Sequence, residues 1–340
     1  MINAAIVGLG WWGKTLVESV QGTSHDIQFV AGASRTMSPE LKTFADGQKL
    51  RLHENYDAVL ADPAVQAVVL ATPHSLHAQQ VVAAARAGKH VFCEKPFALT
   101  RCDAESAVAA TTTAGVALGL GYNRRFHPEM TKLRERIQSG ALGTILHIEA
   151  TMTFPNGLFL KPDAWRADNH ETPCGALTPM GVHAIDGMID LCGPIGQVYC
   201  QSFRLVVEVD SDDTTSMLFR MKAGMSGYLG TITATGPGFS FQVFGSKGSV
   251  RLEGMTHVAG ASSEERRTRL FGTCKFQPIR GEAEVWEAER LDVTRACLEA
   301  FAQAAAGRAP FPIPIDQMIH GAAVTEAVVR SAASGDVENV

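Results

Sequence analysis

Three glycines, Gly8, Gly10 and Gly13, form the pattern G-x-G-x-x-G inside IVGLGWWGKT, after an apolar run and before a helical one. In that context the spacing is the fingerprint of a dinucleotide-binding turn. Gly8 permits the tight turn. Gly10 lets the backbone approach a pyrophosphate, whose charge meets a helix N-terminus, and Gly13 permits close helix–strand packing. An NAD site usually carries an acid about twenty residues later, to accept from the ribose 2′-hydroxyl. Here the stretch reads Ser34-Arg35-Thr36. Arg35 can pair with a 2′-phosphate and Ser34 can donate to it, which favours NADP. Alternatively Arg35 covers the adenine face and NAD still binds. A second chemical stretch, 153–171, carries Lys161, Asp163, Trp165, Arg166, Asp168 and His170. Trp165 offers a face for a sugar to stack on, and Lys161 and Arg166 suit a carboxylate or a run of hydroxyls. The same segment also reads as a solvated connector.

The elements that must hold these residues follow from the hydrophobic pattern. Apolar runs at 2–7, 27–33, 67–71, 90–93 and 116–119 read as buried strands. Helical stretches at 13–20, 39–44, 56–60, 76–87 and 102–114 alternate with them. Ser75 is the expected N-cap of the fourth helix and Gly88 its stop. Such alternation predicts a Rossmann-type, doubly wound parallel sheet over residues 1–122. From 123 to 340 the pattern changes. A helix at 130–139 precedes strands at 144–153, 197–209, 214–222, 225–233, 239–245 and 249–253. Two alanine-rich helices, near 288–306 and 317–334, close the chain. The second domain is therefore expected to be α+β with a mostly antiparallel open sheet.

Composition narrows the function classes. The 340 residues carry a net charge of −5, 46% apolar and 19% charged residues, an ordinary globular balance. No basic stripe suits nucleic acid or an anionic membrane. Arg266, Arg267 and Arg269 follow Glu264 and Glu265 and read as a solvated face. Seven scattered cysteines, with no C-x-x-C pair, predict neither a metal site nor a disulfide framework, and fit a reducing cytoplasm. The first residues read as a buried strand and not as a signal peptide.

Five motifs in order, GLGWWG, ATPHSLH (71–77), CEKPF (93–97), GYNRRFHP (121–128) and GVHAID (181–186), resemble the glucose–fructose oxidoreductase/inositol dehydrogenase (Gfo/Idh/MocA) family over essentially the whole chain. The resemblance implies that Lys95 of Glu94-Lys95-Pro96 lies beside the nicotinamide and the reacting hydroxyl, across a cis Lys-Pro bond. A cationic ring about 5 Å away, at an effective dielectric of ~20, would oppose the ammonium by about 3 kcal/mol and make the amine a usable proton acceptor. It further implies His183 as a second acid/base, oriented by Asp186 one turn on. The motif's leading Asp is replaced here by Pro179, with Thr178 beside it as a hydrogen-bond donor to substrate. Thr72, Pro73, His74 and His77 match a segment that lines the dinucleotide, and Glu94 and Asn123 the nicotinamide end. Arg124 or Arg125 either reaches cofactor or substrate or forms a salt bridge. Trp12 either walls the nicotinamide side or packs on the helix at 102–114, and Trp11 covers the loop from outside.

Together these imply an NAD(P)-dependent dehydrogenase or reductase of a CH–OH group in a sugar, polyol or sugar acid, working as a homodimer or homotetramer. A dehydrogenase of cyclic, carboxylated dihydrodiols and a non-catalytic dinucleotide sensor are the competing readings. Intact Glu94-Lys95-Pro96 speaks against the sensor, and Pro179 for it.

Overall fold

A computed structural model describes residues 1–255 and 262–340. The first elements are β1 (Ile2–Val7), α1 (Trp11–Val20), β2 (Ile27–Ala33), α2 (Pro39–Gly47), β3 (Arg51–His53), α3 (Tyr56–Ala61), β4 (Ala67–Leu70), α4 (His77–Arg86), β5 (His90–Cys93), α5 (Arg101–Ala114) and β6 (Leu118–Leu120). They are followed by α6 (Pro128–Gln138), β7 (Ile145–Thr153), α7 (Gly181–Cys192), β8 (Ile195–Phe203), β9 (Thr214–Met221), β10 (Ser226–Ile232), β11 (Gly238–Gly245), β12 (Gly248–Gly254), α8 (Ser263–Thr268), β13 (Phe271–Pro278), β14 (Glu284–Glu287), α9 (Val293–Ala305), α10 (Ile315–Ser334) and β15 (Glu338–Asn339).

Two compact units result, Met1–Asn123 with Asp292–Ile319, and Arg124–Leu291 with His320–Val340. The first holds a parallel sheet of order β3-β2-β1-β4-β5-β6. Its central strands are apolar on both faces, and every residue of β4 is buried, as strands sandwiched between helix layers must be. This is the doubly wound sheet predicted from the alternating pattern. The helix at 293–305 belongs with it, although the sequence reading gave everything after 122 to the second domain. Phe301 meets the Phe92 ring edge-on at 5.6 Å, and Arg295 Nε donates to Ser19 O at 3.0 Å. An amphipathic pattern shows that α9 is buried on one side; it does not say against what.

The second unit holds a mostly antiparallel sheet of order β14-β13-β12-β11-β7-β10-β9-β8-β15, with one parallel pair, β10 on β7. Ile148, Ala150 and Met152 of β7 face the core shared with α7, while Glu149 and Thr151 point to the other side. The strand expected over 197–209 ends at Phe203. The cause is Asp213, 1% exposed, whose Oδ2 accepts from the N–H groups of Leu205, Val206 and Val207 at 2.9, 2.6 and 3.0 Å. A carboxylate that takes three consecutive donors removes them from the ladder. Ser75 is likewise no cap. A short 3₁₀ turn, His74–Leu76, runs straight into α4.

His127 caps α6 through Nδ1, which accepts from Glu129 N at 3.2 Å. Its ring is fully buried, edge-on to Phe271 at 4.9 Å, and Nε2 has no partner. Burial pushes its pKa down to about 4, against the pull of Glu129 and Glu289. The folded protein thus holds it neutral while the unfolded chain protonates near 6.5. Stability from this group is complete above pH 6.5 and falls as pH drops toward 4, by about 3 kcal/mol at most. Denaturant titrations between pH 7.5 and 4.5 are expected to show this loss, and it should be smaller in His127→Asn.

Candidate active site

The glycine turn is built without side chains because there is no room for them. A Cβ on Gly13 would lie 2.0 Å from Gly8 O, and one on Gly8, at φ +96°, 2.4 Å from Ala71 O. Gly10 is different, since its missing Cβ faces open space. Gly10 is also the N-cap of α1, which has neither a side-chain cap nor an acid in its first turn. The leading N–H groups and the positive helix end are left for an anion. The residues present therefore fit a dinucleotide pyrophosphate. Trp11 is half exposed, its ring 5.4 Å from that of Trp12. Trp12 is half-buried, with an indole N–H that is buried and has no partner. At the end of β2, Ser34 is half-buried and Arg35 exposed.

Three further segments converge on the same sheet edge. The contact of Gly8 with Ala71 brings the 71–77 segment beside the turn. Thr72 Oγ1 donates to Gln80 Oε1 at 2.6 Å, Pro73 is half-buried and His74 is 4% exposed. His77 is wholly buried, so it does not line the dinucleotide as expected. After β5, Glu94 is 5% exposed and packs its carboxylate against the backbone of Gly121. The Lys95 backbone N–H donates to Glu94 Oε2 at 3.2 Å, Lys95 is half-buried, and Lys95-Pro96 is cis. Asn123 donates through Nδ2 to Thr294 Oγ1 of α9 at 3.1 Å.

In the second unit, His183 lies in the first turn of α7, 7% exposed. Asp186, one turn further on, is held by Arg125. Arg125 Nε donates to Asp186 Oδ2 at 3.0 Å, and Nη2 donates to Oδ1. Arg125 Nη1 reaches Asp190 at 3.2 Å, and Asp190 also pairs with Arg134. Burial lifts the Asp186 carboxyl to about 6, with Arg125 opposing the rise. Thr178 is turned inward. It is fully buried and its hydroxyl donates to Pro173 O, a structural role in place of the expected substrate contact. In the 153–171 stretch, Lys161 and Arg166 are exposed, and the Arg166 guanidinium lies 4.1 Å from the half-buried Trp165 ring.

The structure separates two arginines that the sequence left equivalent. Arg125 is committed to carboxylates. Arg124 has no carboxylate among the described residues; it lies 4.8 Å from the Phe239 ring, with Nη1 3.8 Å from Met152 Sδ. Burial presses its pKa down to about 9. Met152 is the register neighbour of Thr231, and Thr231 touches Gly181 at the start of α7. Arg124 therefore stands at the same sheet end as the helix turn bearing His183. Adjacent arginines carry no sequence signal that tells which is neutralised; only packing decides. Among the described residues no group of His, Cys, Asp and Glu could hold a metal, and no helix is long and apolar enough to cross a membrane.

A dinucleotide-binding turn on a parallel sheet, followed by a second unit with a largely antiparallel sheet, defines a two-domain oxidoreductase. Residues 2–122 match the oxidoreductase family with an NAD-binding Rossmann fold, and residues 130–251 match the GFO/IDH/MocA C-terminal domain. The chain belongs to this Gfo/Idh/MocA family of oxidoreductases. It is 27% identical to myo-inositol 2-dehydrogenase of Thermotoga maritima over 79% of the chain and 80% of that protein. Levoglucosan dehydrogenase of Pseudarthrobacter phenanthrenivorans is 32% identical over 42% of the chain and 37% of its own length. The fold matches aldose-aldose oxidoreductase from Caulobacter crescentus with a TM-score of 0.84 at 24% identity, covering 100% of this chain and 99% of that one.

Breaking a buried ion pair strands a charge. Asp186→Asn is expected to cost at least about 2 kcal/mol, read as a lower Tm. A small change in Tm with a displaced pH–rate profile would instead return Asp186 to the role of orienting His183.

Proposed function

We propose that this protein is an NADP-preferring oxidoreductase of a CH–OH group in a sugar-like substrate, with Lys95 as proton shuttle and His183 assisting. The observation that carries the reading is the uncapped, acid-free start of α1 behind three glycines, one of them opening onto empty space. Gly8, Gly10 and Gly13, with Trp11, Trp12, Thr72, Pro73 and His74, would hold the dinucleotide, and Glu94 and Asn123 its nicotinamide end. Once bound, that group accepts or supplies a hydride at its C4 carbon. The preference for NADP rests on Arg35, which is exposed and makes no hydrogen bond or ion pair among the described residues, with Ser34 beside it. A fixed acid would repel a 2′-phosphate; a free guanidinium attracts it.

Lys95 takes the hydroxyl proton in oxidation and returns it in reduction. Near-complete burial of His183 in the first turn of α7 suits a second group that steadies the substrate oxygen. Arg124 and, from the loop, Lys161, Trp165 and Arg166 are the proposed substrate contacts. The free cation of Arg124 favours a substrate with a carboxylate or adjacent hydroxyls. The relatives named for inositol and levoglucosan support the sugar-like class. We place the enzyme in the cytoplasm, in keeping with seven free cysteines. We further propose a homodimer or homotetramer. Tyr199, Leu218 and Tyr228 form a cross-strand row on the sheet face turned from the core, with Leu218 53% exposed.

Purified protein given NADP or NADPH and a panel of sugars, polyols and sugar acids is expected to turn over at least one of them. Lys95→Ala should lower kcat by at least about 100-fold while NADPH still binds. Arg35→Asp should shift preference toward NAD. Tight NADPH binding with no turnover on any substrate would favour the sensor and overturn this reading.

A further inference from the structure

His77 makes two hydrogen bonds that a neutral ring cannot both make. Its Nδ1 lies 2.7 Å from Pro96 O and its Nε2 3.0 Å from Thr72 O. Carbonyl oxygens only accept. A neutral imidazole carries one donor and one acceptor nitrogen, so one of the two contacts would set a lone pair against a carbonyl. Only the doubly protonated ring donates to both. The ring is 0% exposed, so water does not relieve the mismatch.

The two carbonyls belong to different segments. Thr72 opens the turn beside the glycine loop. Pro96 directly follows Lys95. We infer that His77 is a positioning residue, held as a buried imidazolium that donates to both carbonyls and so ties the lysine loop to the dinucleotide loop. The clamp rests on the reading of Lys95 as proton shuttle only for its effect on turnover; its protonation state stands apart from that reading.

Burial alone disfavours an imidazolium, and two short charge-assisted hydrogen bonds favour it. The other buried ionisable groups nearby in the chain are His74, with ring centroids 5.9 Å apart, and Cys93 and Glu94 at the end of β5. The Cys93 thiol is pushed well up by burial and by Glu94, so it stays neutral. Glu94 lies on the segment that His77 grips. On α5, which packs against α4, Arg101, Asp103 and Glu105 are all exposed, so solvent screens them. His77 faces the carbonyls with little competition from those exposed charges.

The direct test is the ¹⁵N spectrum of histidine-labelled full-length protein at pH 8, above the ordinary histidine pKa of about 6.5. His77 is assigned through correlations within its own side chain, and by the signal missing from His77→Gln. The inference expects two protonated-type nitrogens in His77. One protonated and one bare nitrogen would overturn it, whether or not any substrate has been found. The second arm is kinetic. His77→Ala should lower kcat by roughly 10- to 100-fold, the scale expected when a catalytic group is displaced by about 1 Å, while NADPH affinity changes far less. An equal loss of NADPH affinity, or an unchanged kcat, would also overturn the positioning role. If His77→Ala does not fold, the spectrum of the wild-type protein still decides.

Discussion

The structure depends on a close approach that forbids side chains. Gly13 lies so near the carbonyl of Gly8, and Gly8 so near that of Ala71, that a single methyl at either site would displace backbone. The approach sets the start of α1 over the end of β1, and it draws the 71–77 segment against the turn. The positive end of the helix and its leading N–H groups then face one spot. The tryptophans fit this arrangement. The glycines leave the phosphate contact to backbone, so large side chains between them cost it nothing.

Buried charge is handled differently in the two units. In the second, Arg125, Asp186, Asp190 and Arg134 neutralise one another, an arrangement that is costly to break and that fixes α7 against the segment before α6. Arg124, one residue earlier, keeps only an aromatic face and a thioether among the described residues. A cation left half-buried without a counter-ion is the kind of group that a polar or anionic ligand completes. In the first unit the corresponding feature is His77 between two carbonyls.

Much of the fold was legible in the sequence because its signals are local. Continuous apolar strands, alternating with helices, gave the parallel sheet, and period-two strands gave the largely antiparallel one. What escaped is long-range. Asp213 ends a strand by capturing three N–H groups across a loop. The α9 helix lies in a unit far from it in the chain. At the site, the glycines were readable because their reason is conformational. The partners of Asp186, Thr178 and His77 were not readable, because spacing shows which side chains could meet, not which partner wins. Arg125 took Asp186. The Pro173 carbonyl took Thr178, and two carbonyls took His77.

The account's central claim is that the glycine turn holds the dinucleotide so that the Lys95 amine meets the reacting oxygen. A crystal structure of the protein with NADPH and a competitive sugar or polyol ligand tests it most directly. The account predicts the pyrophosphate on the leading N–H groups of α1, the 2′-phosphate against Arg35, and Lys95 Nζ in hydrogen-bond reach of a ligand hydroxyl next to nicotinamide C4. A complex with Lys95 Nζ turned into solvent, away from both molecules, would contradict it.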